Sequence, residues 1–231
     1  MSRRDSYVGK PVERIEDLRF LTGRGQYVDD FTRVGLLHAA IFRSSVAHGR
    51  ILSMDVSAAR GMPGVHAVIT AADIGEHLPT IALRMEAQPA LARFEQPVIA
   101  HEKVRYVGEP IALVVAESAA IAEDAVGVIQ VDIGHLPAVT NCVASESGKV
   151  LLFEEHGTNH AITLSAARGD ADATMQSADY VRRERFRVQR LAAMPMETRG
   201  LLAEWDTASG KMKVTGAMKV PFSVRAQLAR L

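Results

Sequence analysis

Apolar residues along the chain fall in short runs separated by turn residues, and the period of the runs changes along it. GLLHAAIFRSS (35–45) and RILSMDV (50–56) have strand length and are divided by His48 and Gly49. Asp55 can cap a short helix over VSAAR, ended by Gly61 and the Met62, Pro63, Gly64 turn. VHAVIT (65–70) predicts a strand, and Thr70 with Asp73 fits a capping box. Residues 75–96, with Pro79 and Pro89, predict a long irregular connection. PVIA (97–100), KVRYV (103–107) and IALVVA (111–116) predict strands, the last apolar enough to be covered on both faces. Behind Ser118, Ile121, Ala122, Ala125, Val126 and Ile129 recur at helical spacing, and IQVDI returns as a strand. Strand, helix and returning strand suggest a β-α-β unit here, with a similar stretch over 50–70 and antiparallel pairing around 97–107.

Residues 139–165 lose the apolar period and suggest a linker. GDADATMQSADY (169–180) predicts a short helix with Asp170 at its start. VRRERFRVQ (181–189) alternates as a strand does, GLLAEWD (200–206) and KMKVTGAMKV (211–220) suggest two strands joined at 207–210, and VRAQLARL begins an amphipathic helix. The expected organisation is α+β: an arm over 1–17, a first domain over 18–138, a linker over 139–165 and a second unit from 166 to 231.

Composition narrows the choices only a little. The 27 Lys and Arg balance 27 Asp and Glu, so no polyanion partner is indicated. One cysteine, Cys142, excludes an internal disulfide framework and a cysteine-based zinc or iron–sulfur site, and fits a reducing compartment. Ser2, Arg3 and Arg4 could begin a twin-arginine signal, but charged PVERIEDLRF follows where an apolar stretch is needed. The expected localisation is cytoplasmic, without a membrane span.

Candidate chemistry is sparse. His156 and His160 have helical metal-ligand spacing, but the intervening Gly157, Thr158 and Asn159 favour a loop that orders against a neighbouring subunit. Arginines 182, 183, 185, 187 and 190 read as a solvated strand face, open to a partner's carboxylates. In MPMETRG, Glu197 and Arg199 suggest either a structural ion pair or the wall of a substrate pocket. No Walker A, HExxH, GxSxG or CxxC motif occurs.

Five stretches in order, RFLTGRGQYVDD, LLHAAIFRSSVAHGRI, MPGVHAVITAADI, VRYVGEPIALVVAE and PMETRGLLAEWD, resemble the molybdenum-binding large subunit of the xanthine dehydrogenase and aldehyde oxidase family, closest to its carbon-monoxide dehydrogenase branch. The resemblance implies an α/β hammerhead domain over 18–138 and the start of the first molybdopterin-binding domain from about 166. It implies hydroxylation of an electron-poor carbon at a molybdenum-molybdopterin cofactor, with a glutamate base. Electrons would leave through iron–sulfur clusters to FAD on partner subunits or domains. It further implies that this chain carries only the N-terminal portion of the template, split or truncated, and that the remainder of the large subunit completes the cofactor site. A docking or assembly module without catalysis is the alternative. Lys219 stands where many family members carry a glutamine bonded to an oxo ligand of molybdenum. As a departure from that pattern it could donate to the same oxygen or to a pterin phosphate, or extend to solvent as a strand-end lysine.

Overall fold

The computed structural model describes residues 7–83 and 88–231. Ser2, Arg3 and Arg4, and residues 84–87 of the predicted irregular connection, lie outside the described residues. The strands are β1 His38–Arg43, β2 Gly49–Asp55, β3 Val65–Thr70, β4 Thr80–Ile81, β5 Gln96–Pro97, β6 Lys103–Val104, β7 Pro110–Ala116, β8 Gln130–His135, β9 Leu201–Asp206 and β10 Lys211–Gly216. The α-helices are α1 Asp17–Leu21, α2 Ser57–Arg60, α3 Ala71–Ile74, α4 Pro89–Ala92, α5 Ala119–Gly127, α6 Cys142–Glu146, α7 Ala171–Ser177 and α8 Pro221–Leu228. This is the expected α+β content. Contacts gather the chain into two units. The smaller comprises the described residues of Met1–Val34 with Val188–Pro221, and the larger those of Gly35–Arg187 with Phe222–Leu231.

Local chemistry sets the element ends of the larger unit. Ser118 accepts a hydrogen bond from the Ile121 N–H at 3.2 Å and starts α5. Asp73 accepts from the Thr70 N–H at 2.8 Å and from its hydroxyl at 2.6 Å, the reciprocal box the sequence predicts. Asp55 accepts from the Ser57 N–H at 2.8 Å, one position earlier than a regular cap.

Two three-stranded sheets run in the orders β1-β7-β3 and β6-β2-β8, and every pairing is antiparallel. The predicted β-α-β units are therefore corrected. β1 and β3 already occupy both edges of β7, so α5 carries the chain away to β8 in the second sheet. The 50–70 stretch likewise leaves the middle of one sheet, β2, for the edge of the other, β3.

β7 is buried on both faces near its start. Ala112, Val114 and Ala116 join Ala122, Ala125 and Ile129 in one core cluster, whereas Ile111 joins Ala100 and Val104 in a second. Phe42 and Val131 pack against both clusters. Residues 150–160 lie against this unit rather than awaiting a neighbouring subunit. Buried Lys103 places its ammonium 3.4 Å from Glu154 and donates to the Leu151 carbonyl at 3.1 Å. Arg50 also pairs with Glu154, and Arg105 donates to the Leu152 carbonyl at 3.0 Å with its guanidinium 4.4 Å from the centre of the Phe153 ring. Burial lowers the Lys103 pKa, and the Arg50 hydrogen bond leads the causes that lower that of Glu154.

Glu109, just before β7, is fully buried; one carboxyl oxygen accepts from the Arg105 N–H at 2.5 Å and the other has no hydrogen-bond partner among the described residues. Burial pushes its pKa above the ordinary glutamate range, against the opposing pull of the Arg105 N–H. The folded state therefore holds this proton more tightly than the unfolded chain. The group's contribution to stability is greatest in acid and declines as pH rises through its raised value. Urea unfolding of wild type and Glu109→Gln over roughly pH 4 to 8 is expected to show that decline only in the wild type. Parallel curves would contradict it.

Candidate functional site

The smaller unit is organised by the β9–β10 hairpin. Its register pairs Lys211 with Asp206 and Gly216 with Leu201. The turn is closed by Asp206, which accepts from the Ala208 N–H at 3.0 Å and the Ser209 hydroxyl at 2.5 Å, while Gly210 takes φ +63°. The Ser209 hydrogen bond is the main cause of a lowered Asp206 pKa. Across the strands Lys213 faces Glu204 at 3.8 Å, and Arg33 donates to Glu204 at 2.9 Å, tying the N-terminal segment to the hairpin.

The hairpin's other end is open, and the sequence-predicted site residues leave from it. Glu197 and Arg199 precede β9, and Lys219 follows β10. Because Leu201 opposes Gly216, the topology brings both segments to one end of one hairpin. All three side chains are exposed, and among the described residues no ion pair engages any of them. Met194, three residues before Glu197, has φ +45°, a left-handed conformation that costs an L-residue about 1–2 kcal/mol.

Two glycines set this end. A Cβ on Gly216 would lie 2.7 Å from the Gly200 carbonyl oxygen and 3.2 Å from the Leu201 Cα, both of them backbone atoms. A Cβ on Gly200 would lie 2.8 Å from a methyl of Val28. The sequence reading missed this pair; its only trace is a glycine at each outer end of the two strands. Gly216→Ala is expected to cost about 1–3 kcal/mol and to speed amide exchange at residues 201 and 202, because backbone cannot yield as a side chain does. Unchanged exchange and stability would contradict the close approach.

Elsewhere the predicted chemistry separates. His156 closes a 3₁₀ turn, Glu154–His156, with its Nε2 2.5 Å from the Arg93 carbonyl, whereas His160 meets the Thr163 hydroxyl at 3.1 Å. Among the described residues no cluster of three or more His, Cys, Asp or Glu is placed to hold a metal ion. The arginine-rich stretch 181–189 is not the predicted strand: it is exposed and forms no ladder, because no segment of the described chain lies alongside it to supply backbone partners. Among the described residues no helix is long and apolar enough to cross a membrane.

Comparison with known proteins places this architecture. Residues 22–137 match the pattern described as "Aldehyde oxidase and xanthine dehydrogenase, a/b hammerhead domain". The chain belongs to this family. Residues 152–231, which include the whole β9–β10 hairpin and Lys219, match a molybdopterin cofactor-binding domain. The nicotine 6-hydroxylase large subunit of Paenarthrobacter nicotinovorans is 40% identical over 222 residues, which is 96% of this chain and 27% of that relative. The carbon monoxide dehydrogenase large chain of Afipia carboxidovorans is 35% identical, over 94% of this chain and 28% of that relative. Among solved structures, quinoline 2-oxidoreductase from Pseudomonas putida 86 superposes with a TM-score of 0.83 at 39% identity, covering 95% of this chain and 28% of that one. The chain thus spans just over a quarter of the length of these curated relatives.

Two of the three predicted site residues at the open hairpin end are cationic, Lys219 and Arg199, and the third, Glu197, is an exposed carboxylate. Among the described residues Lys219 and Arg199 are exposed donors without an ion-pair partner, and cationic donors bind oxo and phosphate oxygens by charge-assisted hydrogen bonds.

Proposed function

We propose that this chain is the N-terminal portion of the large subunit of a molybdenum-cofactor hydroxylase that acts on an N-heteroaromatic substrate or an aldehyde. The observation that carries the reading is the match of residues 152–231 to a molybdopterin cofactor-binding domain, directly after a hammerhead domain. The proposed boundaries are 18–138 for the hammerhead domain, 139–165 for the linker and 166–231 for the beginning of the cofactor-binding domain. The relatives named for nicotine and quinoline, at 40% and 39% identity, are more similar to this chain than the carbon monoxide dehydrogenase large chain at 35%, which favours N-heteroaromatic substrates.

When bound, the molybdenum cofactor supplies the hydroxylating chemistry and accepts the electrons removed from substrate. The protein holds and polarises what the cofactor presents. In this reading Lys219 donates a hydrogen bond from its ammonium to an anionic oxygen of the cofactor, and the fixed hairpin end holds the donor in place. Arg199 lies at the same end and adds positive charge. Glu197, three residues beyond the strained Met194, lines the substrate pocket or pairs with an arginine once the rest of the subunit encloses it. Residues of the large subunit outside this stretch complete the site. Iron–sulfur and FAD partner subunits carry the electrons onward, in the cytoplasm.

The test is a substrate panel given to the assembled enzyme. Hydroxylation of quinoline or nicotine, with oxygen drawn from labelled water, supports the reading. Turnover of carbon monoxide alone would overturn the substrate class, and no turnover of any panel member by a molybdenum-loaded complex would favour a docking module instead.

A further inference from the structure

Residues 181–187 combine three features that a solvated loop does not need. First, apolar residues stand open: Val181 is 52% exposed and Phe186 83%. Second, among the described residues no backbone hydrogen bond engages 181–187, which leaves their N–H and C=O groups open to an external strand. Third, the charges are unbalanced and ordered. Arg182 pairs with Glu184, the one acidic residue of the stretch, while Arg183, Arg185 and Arg187 have no ion-pair partner among the described residues.

In an extended chain alternate residues share a face and repeat every ~6.6–6.8 Å. Once the stretch is extended, Arg183, Arg185 and Arg187 form a single row, and Arg182, Glu184 and Phe186 form the other. The alternation is what makes the stretch read as a strand, and what it lacks is a neighbour. Lysines or arginines often blunt an exposed edge against accidental pairing, but a row of one sign also selects a complementary partner.

We propose that residues 181–187 are an interaction strand. They add, by main-chain hydrogen bonds, to an acidic extended segment that belongs to the large-subunit residues beyond the stretch matched here. The carboxylates of that segment lie opposite Arg183, Arg185 and Arg187. This inference rests on the reading of the chain as part of a large subunit, and it adds which segment makes the junction and by what chemistry. Three facing ion pairs set register and partner, while the ladder and the apolar side chains hold the complex together.

The experiment uses the full chain co-expressed with the residues of the P. nicotinovorans nicotine 6-hydroxylase large subunit that lie beyond the matched stretch. Amide exchange at 181–187 is expected to slow about 100-fold in the complex. The triple charge reversal R183E/R185E/R187E is expected to weaken capture about tenfold or more at low salt, and the R182E/E184R exchange on the other face to leave it unchanged. A complex whose 181–187 amides stay unprotected would overturn the inference and leave the large-subunit reading standing. Protection with undiminished capture by the triple variant would overturn the acidic partner. Absence of any complex would overturn both.

Discussion

Lys219→Ala is expected to lower turnover of the assembled enzyme about 100-fold or more. Removing one pre-positioned donor from a site where charge develops typically costs about 3–4 kcal/mol of transition-state stabilisation. On the proposed role, two features of the chain would make this residue sensitive. It follows β10 by three positions, and the end of β10 is fixed where Gly216 meets the Gly200 carbonyl. It also has no ion-pair partner among the described residues, so its charge is available. Lys219→Gln, which keeps a hydrogen-bond donor and loses the charge, is expected to retain much more activity than Lys219→Ala. Steady-state kinetics on complexes matched for molybdenum content would check this. Equal rates for wild type and Lys219→Ala would mean that the side chain extends to solvent.

Ile111→Ala should have the largest effect on stability. Ile111 has 0% exposure and sits on the face of β7 turned to the second core cluster, where Ile51, Met54, Val131 and Ile133 pack. Truncating a fully buried isoleucine removes transfer free energy and leaves a cavity, for a total of about 2–5 kcal/mol. That is a large share of the roughly 5–15 kcal/mol that holds an ordinary domain together. Ile41→Ala, at a side chain 40% exposed on the neighbouring strand β1, should cost far less. Urea unfolding of the three proteins would check the difference. Similar midpoints would contradict the picture of β7 as the strand shared by two cores.

What could be read from the sequence divides along physical lines. Signals that act within a few residues were legible: the Thr70 and Asp73 box, the Ser118 cap and the 207–210 turn all depend on neighbouring residues. Partner choice was not legible. The run from β7 through α5 to β8 has β-α-β periodicity, but nothing in that period records that β1 and β3 already fill both edges of β7. For 181–189 the alternation was real and the ladder absent, since a strand needs a second segment that the alternation does not specify. The anchoring of 150–160 was hidden for a similar reason: Lys103, Arg50 and Arg105 converge on it from elsewhere in the chain.

The candidate site was legible in a different sense. Lys219, Glu197 and Arg199 stood out by type and by resemblance, and the hairpin register explains how they reach one end of one structure. Their mutual placement depends on the Gly216 and Gly200 contact, which no side-chain pattern announces.

The most direct test of the central claim is the molybdenum content of this chain purified alone and purified with the remainder of a large subunit. The account predicts near-stoichiometric molybdenum in the complex and none on the chain alone. A chain that retains molybdenum and oxidises substrate by itself, or a complex that contains no molybdenum, would contradict it.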